Sequence, residues 1–141
     1  MPLDSVLITG AARGFGYALT RTFTDTGCQV FACARAISQR DTLQQLSDDP
    51  DLSVIPLRLD VTSRQDLDRA RQLVQIETDD LDVLVNNAGQ NAATTEDPLS
   101  HAVLGSLDSE AILDMFHINT VAPLLIVEAF EGLLLGGTAR S

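Results

Sequence analysis

The chain has 141 residues, 45% of them apolar, and sets nine arginines and no lysine against twenty acids, for a net charge of −11 at pH 7. That length suits one domain able to bury roughly two-thirds of its unfolded surface, while a pI near 4.2 argues against nucleic acid and anionic membranes, whose phosphates demand clustered cations. With neither an uncharged apolar run of roughly 18 residues nor a basic-then-apolar leader, the sequence reads as soluble and cytoplasmic.

Apolar runs and helical stretches alternate, the pattern of βαβ units on a parallel sheet. The first run, Ser5 to Thr9, predicts a strand that passes directly into TGAARGFG. A helix is expected from Gly14 to Thr26 with Gly27 as its stop, then a second strand from Gln29 to Ala34. A short helix at Asp41 to Ser47 and a polar turn lead to a third strand, Val54 to Leu59, in which Pro56 indicates an irregular or edge position. The next helix covers Arg64 to Glu77, capped by Thr62 or Ser63, with Leu67, Ala70 and Val74 at helical spacing. A fourth strand, Leu81 to Val85, opens into a long polar loop, Asn86 to Ser106. The last helical stretch runs from Asp108 to about Leu135, with a kink expected at Pro123, and GGTARS follows it. Cys28 and Cys33 fall on opposite faces of the second strand, cannot pair with each other, and are expected to be buried as small apolar groups.

The turn after the first strand carries Gly10, Gly14 and Gly16, a spacing that allows a tight turn and a close approach of backbone to a pyrophosphate at a helix start. A P-loop is excluded, because its GxxxxGK pattern needs a lysine on the phosphates. Dinucleotide binding remains. Its usual acid at the end of the second strand, which grips the ribose 2′-hydroxyl of NAD, is replaced here by Arg35. Arg35, together with Arg13 in the glycine loop, suits the 2′-phosphate of NADP better than NAD, since a guanidinium fork matches phosphate geometry. Charge distribution agrees: residues up to Arg40 carry a balance of +2 and the remainder −13.

Four motifs in order resemble the short-chain dehydrogenase/reductase family: TGAARGFG (Thr9 to Gly16) its TGxxxGxG cofactor loop, LDV (Leu59 to Val61) its adenine-contacting Asp-Val, NNAG (Asn86 to Gly89) the signature closing the fourth strand, and INTVAP (Ile118 to Pro123) its helix asparagine. The resemblance spans essentially the whole chain. It implies an α/β fold, a Rossmann-like doubly wound parallel sheet of strand order 3-2-1-4, in a single NAD(P)-binding domain that stops after the fourth strand and the following long helix. It implies that Gly10, Arg13, Gly14, Phe15, Gly16 and Arg35 hold the phosphates and that Asp60 accepts from the adenine amino group while Val61 donates through its backbone. Asn87, Ala88 and Gly89 would then line the adenosine ribose, and Asn119 would be the one member of the catalytic set.

The activity so implied is NADP(H)-dependent hydride transfer between nicotinamide and a carbonyl or alcohol. That chemistry uses a serine and a tyrosine whose phenol, with an ordinary pKa near 10, is activated by a lysine four residues on. No YxxxK can exist here; the sole tyrosine, Tyr17, follows the glycine loop and is expected to pack. His101 and His117 have no ligand-forming company, so no metal site is expected. The chain reads as the cofactor half of such an enzyme, inactive alone; the competing reading is a non-catalytic NADP-binding sensor or subunit completed by a partner chain. Strand 4 is expected to have a free edge and the last helix an uncovered apolar face, so the chain is predicted to self-associate or to be marginally stable. Light scattering and a thermal melt test this, and a monodisperse monomer with a sharp cooperative melt contradicts it.

Overall fold

The computed structural model describes residues 3–90 and 108–136. Positions 91–106 of the expected long loop, His101 among them, and the last five residues lie outside the described residues. The elements in chain order are β1 (Ser5–Ile8), α1 (Gly14–Asp25), β2 (Gln29–Ala34), α2 (Ile37–Ser47), β3 (Val54–Arg58), α3 (Arg64–Glu77), β4 (Val83–Val85), α4 (Ser109–Phe116), a π-helical turn (His117–Val121) and α5 (Ala122–Leu134).

The strands form one parallel sheet in the order β3-β2-β1-β4, the expected doubly wound arrangement. Alternation along each strand sends side chains to two cores. Val6, Ile8, Val30, Ala32 and Ala34 meet Leu43 and Leu46 of α2 and Tyr17 and Phe23 of α1 on one face. Leu7, Phe31, Cys33 and Leu57 meet Leu67, Ala70 and Val74 of α3 and Ile126, Phe130 and Leu133 of α5 on the other. The cysteines separate as expected, Cys28 into the first core and Cys33 into the second, where complete burial pushes its thiol up to about 12.

Pro56 sits within β3, whose only neighbour in the sheet is β2. The Val30 amide bonds the Ser53 carbonyl and the Leu59 amide bonds the Ala34 carbonyl, so the odd-numbered residues of β3 face β2. Pro56, an even position, therefore turns its missing donor away from the sheet and costs no ladder bond.

Strand β4 begins at Val83 rather than Leu81, and β1, α1 and β3 each end one residue earlier than expected; two larger differences concern helices. Helix α2 begins at Ile37 rather than Asp41, without a side-chain cap on Ala36, so no N-terminal signal marks the start. In the last helix, Pro123 stands at the first turn of α5, directly after the π-helical turn. Having no N–H, it cannot satisfy the Asn119 carbonyl four residues back, and the irregularity is taken up by a wider turn just before it. The whole run Ser109–Leu134 is long and apolar enough to cross a membrane by length and composition alone, at 26 residues and mean hydropathy 1.4, a property shared by core helices. Its Ala122, Ile126, Phe130 and Leu133 are buried within the protein, whereas Leu113, Phe116, Leu124 and Val127 are exposed.

The near end of the sheet is tied by Asp82, whose Oδ2 accepts from the Asp4 amide at 2.7 Å and the Ser5 amide at 3.0 Å. These two bonds, foremost the one from Asp4, hold the Asp82 carboxyl below the usual carboxylate range. A depressed carboxylate stabilises the fold above its unfolded value of about 4 and ceases to do so as pH falls through its folded value. Asp82→Ala is therefore expected to lower stability by about 0.5–1 kcal/mol at pH 7, a modest figure because the group is exposed. The difference from wild type should shrink as pH falls through the depressed folded value, below the ordinary value of about 4; urea unfolding at pH 7 and at strongly acid pH measures it, and a pH-independent difference contradicts the assignment.

Candidate functional site

At the C-terminal ends of β1 and β4 two loops are drawn together by one buried hydroxyl. Thr9 is 1% exposed. Its Oγ1 accepts from the amides of Asn87 and Ala88, each at 3.0 Å, while its own amide bonds the Val85 carbonyl at 3.0 Å. The Asn87 side chain returns the contact, its Nδ2 donating to the carbonyls of Thr9 at 3.0 Å and Gly10 at 3.1 Å. The Ala11 amide donates to Cys33, so the same turn is also fastened to β2.

This closeness explains two of the glycines. A Cβ on Gly16 would stand 2.5 Å from Asn87 Nδ2 and 2.9 Å from the Gly10 carbonyl carbon, which leaves no room for any side chain. Gly10 has φ +65, and a Cβ there would press to 3.0 Å on the Ala88 backbone. The third, Gly14, opens α1 with nothing near it.

Helix α1 starts without a side-chain cap: Arg13 is the N-cap and no acid lies in the first turn. Its leading amides therefore present uncompensated partial positive charge to the space in front of them. Arg13 and Arg35 are both exposed, and neither forms an ion pair among the described residues.

On the β3 side, the Asp60 carboxylate accepts at Oδ1 from the Thr62 hydroxyl at 2.7 Å and the Thr62 amide at 2.9 Å. Partial burial pushes the Asp60 carboxyl up, but the Thr62 bonds and the charges of Arg35 and Arg58 outweigh it and hold the group below its ordinary value. Asp60 Oδ2 and the Val61 amide have no hydrogen-bond partner among the described residues.

Across the groove, Asn119 stands in the π-helical turn. Its Oδ1 accepts from the Gln90 amide at 2.8 Å and its Nδ2 donates to the Gln90 carbonyl at 2.6 Å, pairing with that backbone as a neighbouring strand would. The Asn86 side chain donates to the Pro123 carbonyl at 3.4 Å. The helix is thus joined to the loop leaving β4 at two points.

All twelve residues singled out in the sequence border one groove of about 1100 Å³: Gly10, Arg13, Gly14, Phe15, Gly16, Arg35, Asp60, Val61, Asn87, Ala88, Gly89 and Asn119. Ala12, Leu59, Asn86, Gln90, Ile118 and Pro123 border it as well and were not anticipated. All but Pro123 are chain neighbours of an anticipated residue, and Pro123 closes the INTVAP motif, so the motifs already marked their segments. Thr9 was also missed as an organiser, although a buried threonine ending a strand beside a glycine turn is the available signal. Tyr17 of α1 packs against the core, as expected. Among the described residues no group of His, Cys, Asp and Glu is placed to hold a metal ion.

A groove across the carboxyl ends of parallel strands, where the chain winds to opposite faces on either side of β1, defines the dinucleotide-binding class of α/β proteins. The chain belongs to the short chain dehydrogenase family, whose family model matches residues 4–139. It is 31% identical over 138 residues to chlorophyll(ide) b reductase NOL of Arabidopsis thaliana, covering 95% of this chain and 37% of that protein. It is 38% identical over 84 residues to the NADP-dependent 3-hydroxy acid dehydrogenase YdfG of Salmonella typhi, covering 60% of this chain and 33% of that protein. Among solved structures it resembles the NADPH-bound carbonyl reductase from chicken fatty liver, with TM-score 0.78 and 26% identity over 94% of this chain and 52% of that one. The chain thus spans between about a third and a half of the length of these relatives.

Thr9→Val preserves side-chain size but leaves the Ala88 amide without its acceptor and the Asn87 amide with only the Val85 carbonyl, at 3.0 Å. A loss of about 1–3 kcal/mol is expected in urea unfolding; a change within about 0.5 kcal/mol would mean that the clasp carries no weight.

Proposed function

We propose that the groove binds NADP(H) and that the chain is the cofactor-binding portion of an oxidoreductase acting on a carbonyl or alcohol. The observation that carries this reading is the convergence on one groove of an uncapped helix start, a glycine turn too tight for side chains, and two guanidinium groups without ion-pair partners among the described residues. The diphosphate is taken by the leading amides of α1, where the helix dipole and the absence of a competing acid favour an anion. Arg13 and Arg35 take the 2′-phosphate, which a bare ribose hydroxyl would leave unmatched. Asp60 and Val61 offer the adenine edge one acceptor and one donor, and Asn87, Ala88 and Gly89 form the ribose wall. The NADP dependence printed for the dehydrogenase relative and the NADPH bound in the carbonyl reductase support the same choice.

When bound, the nicotinamide supplies or receives hydride. Asn119 is assigned to the catalytic set as the residue that keeps the helix beside Gln90, using one donor and one acceptor of its side-chain amide in doing so. The proton donor is another matter: no lysine occurs in the 141 residues and Tyr17 of α1 packs against the core, so the chain is proposed to bind cofactor without turning it over. The same absence of lysine beside an otherwise complete groove favours, as a second reading, a binding subunit completed by a partner chain. Self-association through the free edge of β4 and the exposed side of α4 and α5 belongs to this proposal.

Titration of NADPH fluorescence tests it. Wild-type chain is expected to bind NADPH more tightly than NADH, and Arg35→Asp to weaken NADPH by roughly tenfold or more with little change for NADH. Equal losses for both cofactors would remove the 2′-phosphate assignment and leave the glycine turn untouched; no binding of either would remove the reading altogether.

A further inference from the structure

One buried carboxylate in this region is not accounted for by the groove. Asp66, only 8% exposed, lies in the first turn of α3 and does not border the groove itself. A carboxylate in such a place needs a donor. It has one: Oδ2 accepts the Asp60 amide at 3.0 Å. The Asp66 amide in turn donates to the Ser63 Oγ at 3.2 Å, which caps α3, and the Ser63 amide donates to the Asp60 carbonyl at 3.0 Å. The turn from Asp60 to Ser63 is therefore held at both of its backbone ends, while Thr62 holds the Asp60 side chain by Oδ1.

What remains unengaged in that turn, among the described residues, is Asp60 Oδ2 and the adjacent Val61 amide. An acceptor beside a donor matches a 6-aminopurine, whose exocyclic amino group donates and whose N1 accepts. A 6-oxopurine presents the reverse pattern and would leave both protein groups facing their own kind, a mismatch that sites built on paired polar groups reject strongly. The register of the pair is only as good as the placement of the Asp60 backbone. That placement rests on Asp66.

We infer that Asp66 is a positioning residue for purine recognition: by binding the Asp60 amide from beneath, it sets the Asp60–Val61 pair in register with the amino edge of adenine. The inference rests on the dinucleotide reading above and deepens it. It concerns discrimination between bases rather than affinity for phosphate.

The test compares fluorescence titrations of the intact 141-residue chain with NADPH and with reduced nicotinamide hypoxanthine dinucleotide phosphate, which differs only in carrying a 6-oxopurine. Wild type is expected to prefer NADPH by roughly tenfold or more. Asp66→Ala should bring that ratio towards one, mostly by weakening NADPH. Asp66→Asn, whose amide oxygen can still accept from Asp60, should restore most of the ratio. Ser63→Ala, which removes the cap of α3 but leaves the Asp66 to Asp60 bond, should lower thermal stability without moving the ratio, separating positioning from general weakening. If circular dichroism shows Asp66→Ala to be unfolded, Asp66→Glu reads the same quantity, since it keeps the charge and displaces the oxygen; its ratio should also fall. A wild-type preference that persists in the folded Ala or Glu variant overturns the inference alone, whereas failure of the wild type to bind NADPH overturns the dinucleotide reading and this inference with it.

Discussion

The site depends on how closely two loops approach each other. Thr9 follows β1 and Asn87 follows β4, and six hydrogen bonds joining Thr9 and Gly10 to Val85, Asn87 and Ala88 hold their backbones within direct contact of one another. Nothing larger than hydrogen fits at Gly16, and Gly10 turns with positive φ because the Ala88 backbone lies against it. From that approach follow the direction in which α1 sets out, the aim of its first amides, and the floor of the groove. A looser junction would still allow a sheet, but the helix start would no longer face the same space as Arg35 and Asp60.

Electrostatics then divide the groove into ends. The glycine turn contributes partial positive charge from peptide dipoles and a full charge from Arg13, and Arg35 adds another at the end of β2. At the far side Asp60 is kept ionised by Thr62 and by the nearby guanidinium groups, despite partial burial. A ligand fitting this field is anionic at one corner and carries a neutral hydrogen-bond donor at the other, as an adenosine phosphate does. The overall charge of −11 would repel such a ligand if spread evenly; concentrating arginine against few acids in the first forty residues is what makes the local field differ from the global one.

Much of this was legible in the sequence because it depends on residue types that have few alternatives. Glycines between an apolar strand and a helix, and arginine where an acid is usual, indicate geometry and charge directly. The strand order followed from the family resemblance that the four motifs carry, and Pro56 was readable as an irregular or edge position because a central strand does not tolerate a missing donor. The start of α2 was not legible, since Ala36 provides no capping side chain and the first turn offers no contrast in polarity. Nor was the π-helical turn: Pro123 signalled an irregularity, but apolar periodicity cannot distinguish a kink from a widened turn one step earlier. The Asp66 to Asp60 bond was invisible for a different reason. Asp66 reads as an ordinary first-turn acid of α3, and only the folded loop reveals that its carboxylate is turned under a neighbouring motif.

The π-helical turn shows why the last helix belongs to the site as well as to the core. Ile126, Phe130 and Leu133 fix α5 on the sheet by burial, a constraint that acts along the helix and leaves the detail of its N-terminal half open. Asn119 and Asn86 settle that detail by bonding across to Gln90 and Pro123, so that the wide turn meets the loop leaving β4 edge to edge. A regular α-helix would carry Asn119 on a tighter spiral and require the Asn119 carbonyl to find an amide that Pro123 lacks. The irregular turn and the proline therefore support one another: Pro123 removes the donor that would regularise the helix, and the asparagine side chain stabilises the opening that results. The helix can then serve a groove whose other walls come from strand ends, with the buried stripe setting where it lies and two asparagines setting how it faces the ligand space.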